Sequence, residues 1–291
     1  MGWWCLVWRG LAWVVKSHQE GILAKTKVVK PKRVVVISDL HCGHLVGLTP
    51  PEYDGNFGDK TYKGHHQYAR RAYWDFYAEQ IDALKPIDVL IVNADCIDGR
   101  GDKSGGTEQL TTDRNEQVKM AVDCIRYAEC DEVYMTYGTG YHTGNDEDWE
   151  DQIAVAVGAK KIGSHIWVDV NGLVFDLKHH TGSSQSPTGR FNSIAKEKVW
   201  NVLWNEWGEY PKSDVIIRSH AHYHAYAGGY GWLGMITPAL QGYGSKFGAR
   251  RMSGTVDFGL VSFDVTSKKE YSWGSRIMKS TNLKPSVSVV K

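Results

Sequence analysis

The stretch R-V-V-V-I-S-D-L-H-C-G, residues 33–43, constrains this chain more than any other. Val34, Val35, Val36 and Ile37 run without interruption into Asp39 and His41. A continuous apolar, β-branched run of that length reads as a strand buried on both faces, the kind that sits inside an α/β sheet. Such a strand cannot keep a carboxylate and an imidazole in its core. It can present them where it ends, because side chains two residues apart share a face. Exits of buried strands are where open α/β sheets place their sites, and one oxygen with one nitrogen donor suits a divalent cation. Taken alone, the pair fits an ordinary surface loop equally well.

The same arrangement recurs along the chain. The apolar run 87–92 opens into Asn93-Ala94-Asp95-Cys96-Ile97-Asp98, and 131–136 empties into Gly138-Thr139-Gly140-Tyr141-His142. Asn171-Gly172 signals a hairpin, and the strand after it ends in His179-His180. The strand 214–217 ends in Ser219-His220-Ala221-His222. Between these runs the periodicity predicts helices over 67–84 (stopped by Pro86), 113–130, 149–157 and 191–207. The last carries Phe191, Ile194, Ala195, Val199, Val202 and Leu203 on one apolar stripe. Strands near 232–236 and 258–265 complete the sheet material. With His44 and His224, eight of the 12 histidines lie at strand exits. A mixed Asp/His set without Cys suits Mn²⁺, Fe or Zn²⁺. The donors outnumber the four of one tetrahedral zinc, which points to two divalent ions sharing a carboxylate.

Composition narrows the class. The 291 residues, 42% hydrophobic and 23% charged, describe one soluble domain with insertions. A net charge of +1 excludes a broadly basic nucleic-acid binder but not a local patch. Five cysteines without C-x-x-C spacing fit free thiols in a reducing, cytoplasmic compartment rather than a disulfide framework. Residues 1–24 form an aromatic extension, interrupted by Arg9, that suits neither a transmembrane span nor a secretory signal. It is expected to pack on the domain, on a partner or on another copy, with membrane docking through residues 1–15 as a lesser alternative. The main domain is expected over 25–278, with insertions near 45–63 and 181–210, and a loose tail over 279–291.

In this order, Asp39-Leu40-His41, Asp95 after an apolar strand, Gly138-Thr139-x-x-His142, the double His and Ser219-His220-Ala221-His222 resemble the calcineurin-like metallophosphoesterase superfamily. The resemblance covers roughly 33–264. It implies an α/β four-layer αββα sandwich of two mixed β-sheets flanked by helices. It also implies that Asp39, His41 and His222 hold one metal, that Asp95 bridges, and that His220 with His179 or His180 holds the second, His179 being favoured. Ala94 and Ser219 stand where the family has glycine. Where the family has Gly-Asn-His, this chain has Gly138-Thr139-Gly140-Tyr141-His142. Either Thr139 replaces the Asn ligand and His142 is the catalytic acid, or His142 itself binds metal. His44, Asp98, His224 and Arg190 are candidates to orient ligands or touch a phosphate.

The implied activity is dinuclear-metal phosphoester hydrolysis through a bridging hydroxide. A phosphodiesterase on nucleotides or single-stranded nucleic acid is favoured, because Tyr53, Phe57, Tyr62, Trp149, Tyr223, Tyr226, Tyr230 and Trp232 offer rings for stacking. The alternatives are a phosphomonoesterase or protein phosphatase, and a non-catalytic protein-binding scaffold on the same fold.

Overall fold

A computed structural model of the chain describes residues 30–55, 64, 66–144, 147–184, 186–245, 256–278 and 287–290. The aromatic extension, Phe57, Tyr62 and most of the C-terminal tail lie outside the described residues.

The apolar runs become strands β1 (Lys32–Ile37), β2 (Val89–Val92) and β3 (Glu132–Thr136), mutually parallel in one sheet. β4 (Lys161–Gly163) extends that sheet beyond β3. Its other side is closed by β10 (Gly259–Ser267) and β11 (Glu270–Ile277), giving the order β11-β10-β1-β2-β3-β4. The second sheet holds β5 (Ile166–Val170), β6 (Leu173–Leu177), β7 (Val215–Arg218), β8 (Ala225–Gly229) and β9 (Trp232–Ile236) in the order β5-β6-β7-β9-β8. Both sheets are mixed, parallel at their centres and antiparallel at one or both edges.

Alternation along the strands fixes the layering. Val35, Ile37, Leu90 and Val92 face one core, shared with helices α1 (Gln67–Leu84), α2 (Arg114–Arg126) and α4 (Trp149–Val157). Their neighbours Val34, Val36, Val89 and Ile91 face the other way, against Phe175, Leu177, Val215 and Ile217 of the second sheet. Each such side chain, fully buried, contributes about 1.5–3 kcal/mol relative to exposure. On the outer face of the second sheet, Ile194 of α5 (Gly189–Glu206) packs with Tyr223, Ala225 and Ile236. The result is the αββα sandwich that the sequence implied.

Helices α1 and α4 occupy the predicted spans. Asn171 and Gly172 both have positive φ (51° and 85°), as the hairpin signal requires. Three strands were not foreseen. β4 is too short for a pattern, and β8 ends in Gly228-Gly229, which lowers its propensity. β11 is an edge strand whose alternation leaves neither face deeply buried. The span 181–210, read as an insertion, contains α5, which forms the fourth layer. The apolar stripe on α5 was read as its packing face, but Ala195, Val199, Val202 and Leu203 are exposed, and only Ile194 and Asn201 of this helix are buried. No helix among the described residues is long and apolar enough to cross a membrane.

Candidate metal centre

The parallel strands β1, β2, β3, β6 and β7 all end on one edge of the sandwich, and the chemistry-bearing side chains follow those ends. They are not displayed by strand pleating, as the i, i+2 spacing suggested. β1 ends at Ile37, and Asp39 and His41 adopt left-handed backbone (φ 52° and 45°) on either side of buried Leu40. Ala94 and Asp95 (67° and 48°) and His220 and His222 (70° and 54°) do the same after β2 and β7. Such conformations cost of order 1–3 kcal/mol each for non-glycine residues and collect at functional sites. Gly138 is required by close approach, because a Cβ there would lie 2.2 Å from Asp95 Oδ1.

A polar belt beneath these turns ties the sheets together. Asn93 Nδ2 donates to Ser219 Oγ (2.6 Å) and Thr136 Oγ1 donates to Asn93 Oδ1 (2.9 Å). Thr237 Oγ1 lies 2.8 Å from Ser38 Oγ and 2.7 Å from Ser219 Oγ. Every member is buried. Fully satisfied buried networks of this kind rigidify what they carry.

Above the belt, donors converge in three groups of three: Asp39, His41 and His222; Asp95, His179 and His220; and, sharing His41 with the first, His41, Asp98 and His142. In the first, His41 Nδ1 donates to Asp98 Oδ1 (2.8 Å), which leaves Nε2 with a bare lone pair 3.2 Å from His222 Nε2. Burial, with His142 nearby, pushes His41 down to about 4, so its imidazole is neutral, the ligand form. Asp39 Oδ1 is buried without a hydrogen bond, 3.3 Å from His222 Nε2. Burial would raise Asp39, but His222 and His179 outweigh it and hold the carboxyl at about 2.

In the second group His179 Nδ1 donates to Asn93 O (2.7 Å) and Nε2 lies 2.9 Å from Asp95 Oδ2. Burial opposes a charge on His179, yet Asp95 and Asp39 lift it to about 10. A divalent cation placed at this ring nitrogen and carboxylate oxygen would bind both. His179 Nε2 is also 3.9 Å from Asp39 Oδ1, so the two groups adjoin. Facing nitrogens, an orphaned buried carboxylate oxygen and a hard, sulfur-free donor set all fit divalent ions.

Thr139 joins the second group: its hydroxyl donates to Asp95 Oδ2 (3.2 Å) and lies 3.2 Å from His220 Nδ1, and its amide donates to Asp95 Oδ1 (2.7 Å). His142 does not. It sits with His41 and Asp98, its Nδ1 donating to Asp98 O (3.1 Å) and its ring edge-on to His41 at 4.6 Å. Asp98, held at about 2 because His44 and His41 outweigh its burial, fixes His41 and also accepts from Gln109 Nε2 (2.6 Å).

His180 is exposed, touching His220 ring to ring at 4.6 Å, outside both groups. His44 is buried in the turn after His41, where Nδ1 accepts from Val46 N (3.1 Å). His224 is turned away, its Nδ1 donating to Ile236 O (2.9 Å). Arg190 lies over the Tyr223 ring (4.2 Å) at the start of α5 and joins neither group.

Four of the rings read from the sequence as a stacking surface are engaged elsewhere. Tyr53 donates to Asp123, Trp149 and Tyr223 are buried, and Tyr226 packs on Trp273. Tyr141, which no periodicity marked, stands edge-on to His142 at 4.8 Å instead. With His142, Arg100 and Arg114 it lines a cavity of about 260 Å³.

Sequence reasoning also missed Glu150. It is wholly buried, and its two carboxyl oxygens accept Cys96 N (3.1 Å) and Gly138 N (2.7 Å), clamping the turns that carry Asp95 and Thr139. Burial and the Asp95 charge push it up to about 8. Its signal was faint, an acid in the first turn of α4 where acids are common. Glu150→Gln turns one acceptor into a donor facing a backbone N–H. It is expected to lower stability by about 1–3 kcal/mol and to weaken Mn²⁺ binding, read by thermal unfolding and metal titration of one preparation. Unchanged melting and Mn²⁺ affinity would remove its clamping role.

No protein-family model matches the chain, and no curated protein matches it. Among solved structures it is similar to an archaeal phosphodiesterase at 13% identity, over 84% of this chain and 99% of that one, TM-score 0.45. It is also similar to zinc-complexed Vps29 from Entamoeba histolytica (11% identity, 84% and 98% covered, TM-score 0.44). A third is a conserved Streptococcus pneumoniae protein described as a predicted phosphoesterase (9% identity, 84% and 98% covered, TM-score 0.35).

Proposed function

We infer that the chain is a calcineurin-like metallophosphoesterase and that its reaction is metal-dependent hydrolysis of a phosphodiester, on a nucleotide or single-stranded nucleic acid. The observation that carries this reading is the pair of adjoining donor groups, Asp39–His41–His222 and Asp95–His179–His220, at one edge of an αββα sandwich.

Asp39, His41 and His222 would hold one ion, and Asp95, His179 and His220 the other, with the Thr139 hydroxyl beside the second. Mn²⁺, Fe or Zn²⁺ bound there would supply a nucleophile at neutral pH and neutralise charge on the phosphoryl oxygens. Asp98 keeps the His41 Nδ1 proton in place, so that Nε2 stays available as a donor. His142, tethered through Nδ1 to Asp98 O, has Nε2 left to deliver a proton to the leaving oxygen. The Asp98 carboxylate lies 3.4 Å from His142 Nδ1 and faces the same ring.

Diester preference is supported by the cavity beside His142. It gives room for a group beyond the scissile phosphate, beside Tyr141 and a lining of mixed charge, Arg100 and Arg114 with Asp102 and Glu147. The free thiols Cys42, Cys96, Cys124 and Cys130 fit a reducing, cytoplasmic setting.

The test is hydrolysis of bis-p-nitrophenyl phosphate beside p-nitrophenyl phosphate, after chelation and re-addition of Mn²⁺. Turnover of the diester that depends on metal is expected. Preference for the monoester moves the reading to a phosphatase, and no turnover with any metal to a binding scaffold. His142→Ala is expected to keep its full metal content while kcat on the diester falls by roughly 10²–10⁴. Loss of one metal equivalent in that variant would make His142 a ligand instead.

A further inference from the structure

Helix α5 lies on the second sheet by one side only. At 100° per residue, Ile194, Glu197, Asn201 and Trp204 share a side. Ile194 and Asn201 are buried there, and Glu197 is held by Arg218 (2.7 Å). The opposite side carries Ala195, Val199, Val202 and Leu203, bordered by Phe191 and Trp207, while Trp200 lines the cavity under the helix. Val199, Val202 and Trp207 are 58%, 52% and 59% exposed, although a helix this apolar on one side normally buries that side. Two half-exposed aromatic rings and three aliphatic side chains supply about half of the ~800 Å² that each partner contributes to a stable interface. Among the described residues nothing covers this face.

Charge indicates the occupant. Along the exposed side, basic Lys196 precedes the apolar centre and acidic Glu206 follows it, each five positions from Asn201, and both are exposed. Two such helices packed antiparallel about a two-fold axis level with Asn201 bring Lys196 of each copy against Glu206 of the other. The same axis sets Val199 against Leu203 and Ala195 against Trp207. An isologous interface must be self-complementary in this way, and opposite charges at its rim fix the register.

We propose that the exposed face of α5 is a homodimer interface, formed by two copies of this chain with their α5 helices antiparallel. The metal groups do not touch this face, so the proposal stands apart from the catalytic reading.

Sedimentation equilibrium of the full chain tests it. The protein is expected to be a dimer at roughly 10 μM, an ordinary strength for a small interface. Val199→Glu with Leu203→Glu is expected to give monomer at the same concentration, with unchanged circular dichroism because both positions face solvent. Lys196→Glu and Glu206→Lys, singly, are each expected to weaken association about tenfold or more, because each puts like charges in both rim contacts. Combined in one chain they restore the opposite-charge pairing and the dimer. A monomeric wild type overturns the proposal. So does a dimer that survives Val199→Glu with Leu203→Glu, or a charge-reversed double variant no stronger than the singles. A monomer that dimerises only after removal of residues 1–29 also overturns it, and assigns the face to that segment.

Discussion

Asp95→Asn is expected to leave a folded protein that has lost one equivalent of Mn²⁺ and at least roughly 10²–10³ of its turnover on bis-p-nitrophenyl phosphate. The amide has almost the volume of the carboxylate, so packing is preserved, but the electrostatics and the donor pattern are not. Asp95 Oδ1 accepts the Thr139 amide (2.7 Å), and Oδ2 faces His179 Nε2 (2.9 Å) and the Thr139 hydroxyl (3.2 Å). An amide NH₂ on the first side would meet an N–H donor. On the second it would point a proton at the position a cation must take. The negative charge that draws a cation between His179 and His220 is lost with either orientation. The readout is metal content after dialysis together with turnover, with near-ultraviolet circular dichroism to show that the fold is retained. A variant that holds two equivalents of Mn²⁺ and turns over at the wild-type rate would falsify the two-ion reading.

What could be read from the sequence, and what could not, divides along a physical line. Buried strands announce themselves as apolar runs, and histidines or acids at their exits stand out against that background. Hence Asp39, His41, Asp95, His179, His220 and His222 were singled out, and the structure brings them together. The choice of Thr139 over His142 beside Asp95 was not legible. It depends on the short helix α3 (Gly140–Thr143), which carries His142 back toward Asp98. Supporting groups were invisible for a different reason. Asn93, Ser38, Thr136, Ser219 and Thr237 are single polar residues at the ends of apolar strands, and only the meeting of two sheets gives them partners. His224 and Arg190 join neither donor group: His224 Nδ1 donates to Ile236 O, and Arg190 lies over the Tyr223 ring. On α5, periodicity found a real apolar stripe but could not say that the sheet would receive the other side of the helix. There Ile194 is the apolar contact, and Asn201 and Glu197 satisfy Ser213 and Arg218.

The same outer face of the second sheet holds the charge pair whose loss is expected to cost most in stability. Asp176 and Arg218 are each 2% exposed, side by side at a cavity of about 320 Å³ beneath α5. Arg218 Nη1 donates to Asp176 Oδ1 (2.8 Å) and Arg218 Nε donates to Glu197 Oε2 (2.9 Å). His165 Nε2 lies 2.8 Å from Asp176 Oδ1, and Ser213 Oγ donates to Oδ2 (3.0 Å). Asp176→Ala leaves the guanidinium buried with Glu197 as its one carboxylate, beside the carbonyls of residue 176 and Ile217, and breaking a buried pair from one side costs about 3–5 kcal/mol. For a domain of this size that lowers the melting temperature by roughly 10 °C. Replacing both partners at once, Asp176→Leu with Arg218→Met, is expected to cost less than Asp176→Ala alone, because the buried guanidinium goes with its partner and the charge left behind, Glu197, is partly exposed.

Acid titration supplies an independent check on the same pair. Burial would raise Asp176, but His165 and Arg218 outweigh it and hold the carboxyl at about 2, below its ordinary 3.8. The unfolded chain therefore takes up this proton first as pH falls. The stabilisation is fully present above about pH 4 and is lost as pH drops toward 2, and it amounts to roughly 2 kcal/mol. Urea unfolding at pH 6 and pH 3 should accordingly show a smaller difference for Asp176→Ala than for the wild type. Equal acid sensitivity in the two proteins, or a loss at neutral pH below about 1 kcal/mol, would mean that desolvating Arg218 and Asp176 cancels their attraction and that the cluster is neutral in stability.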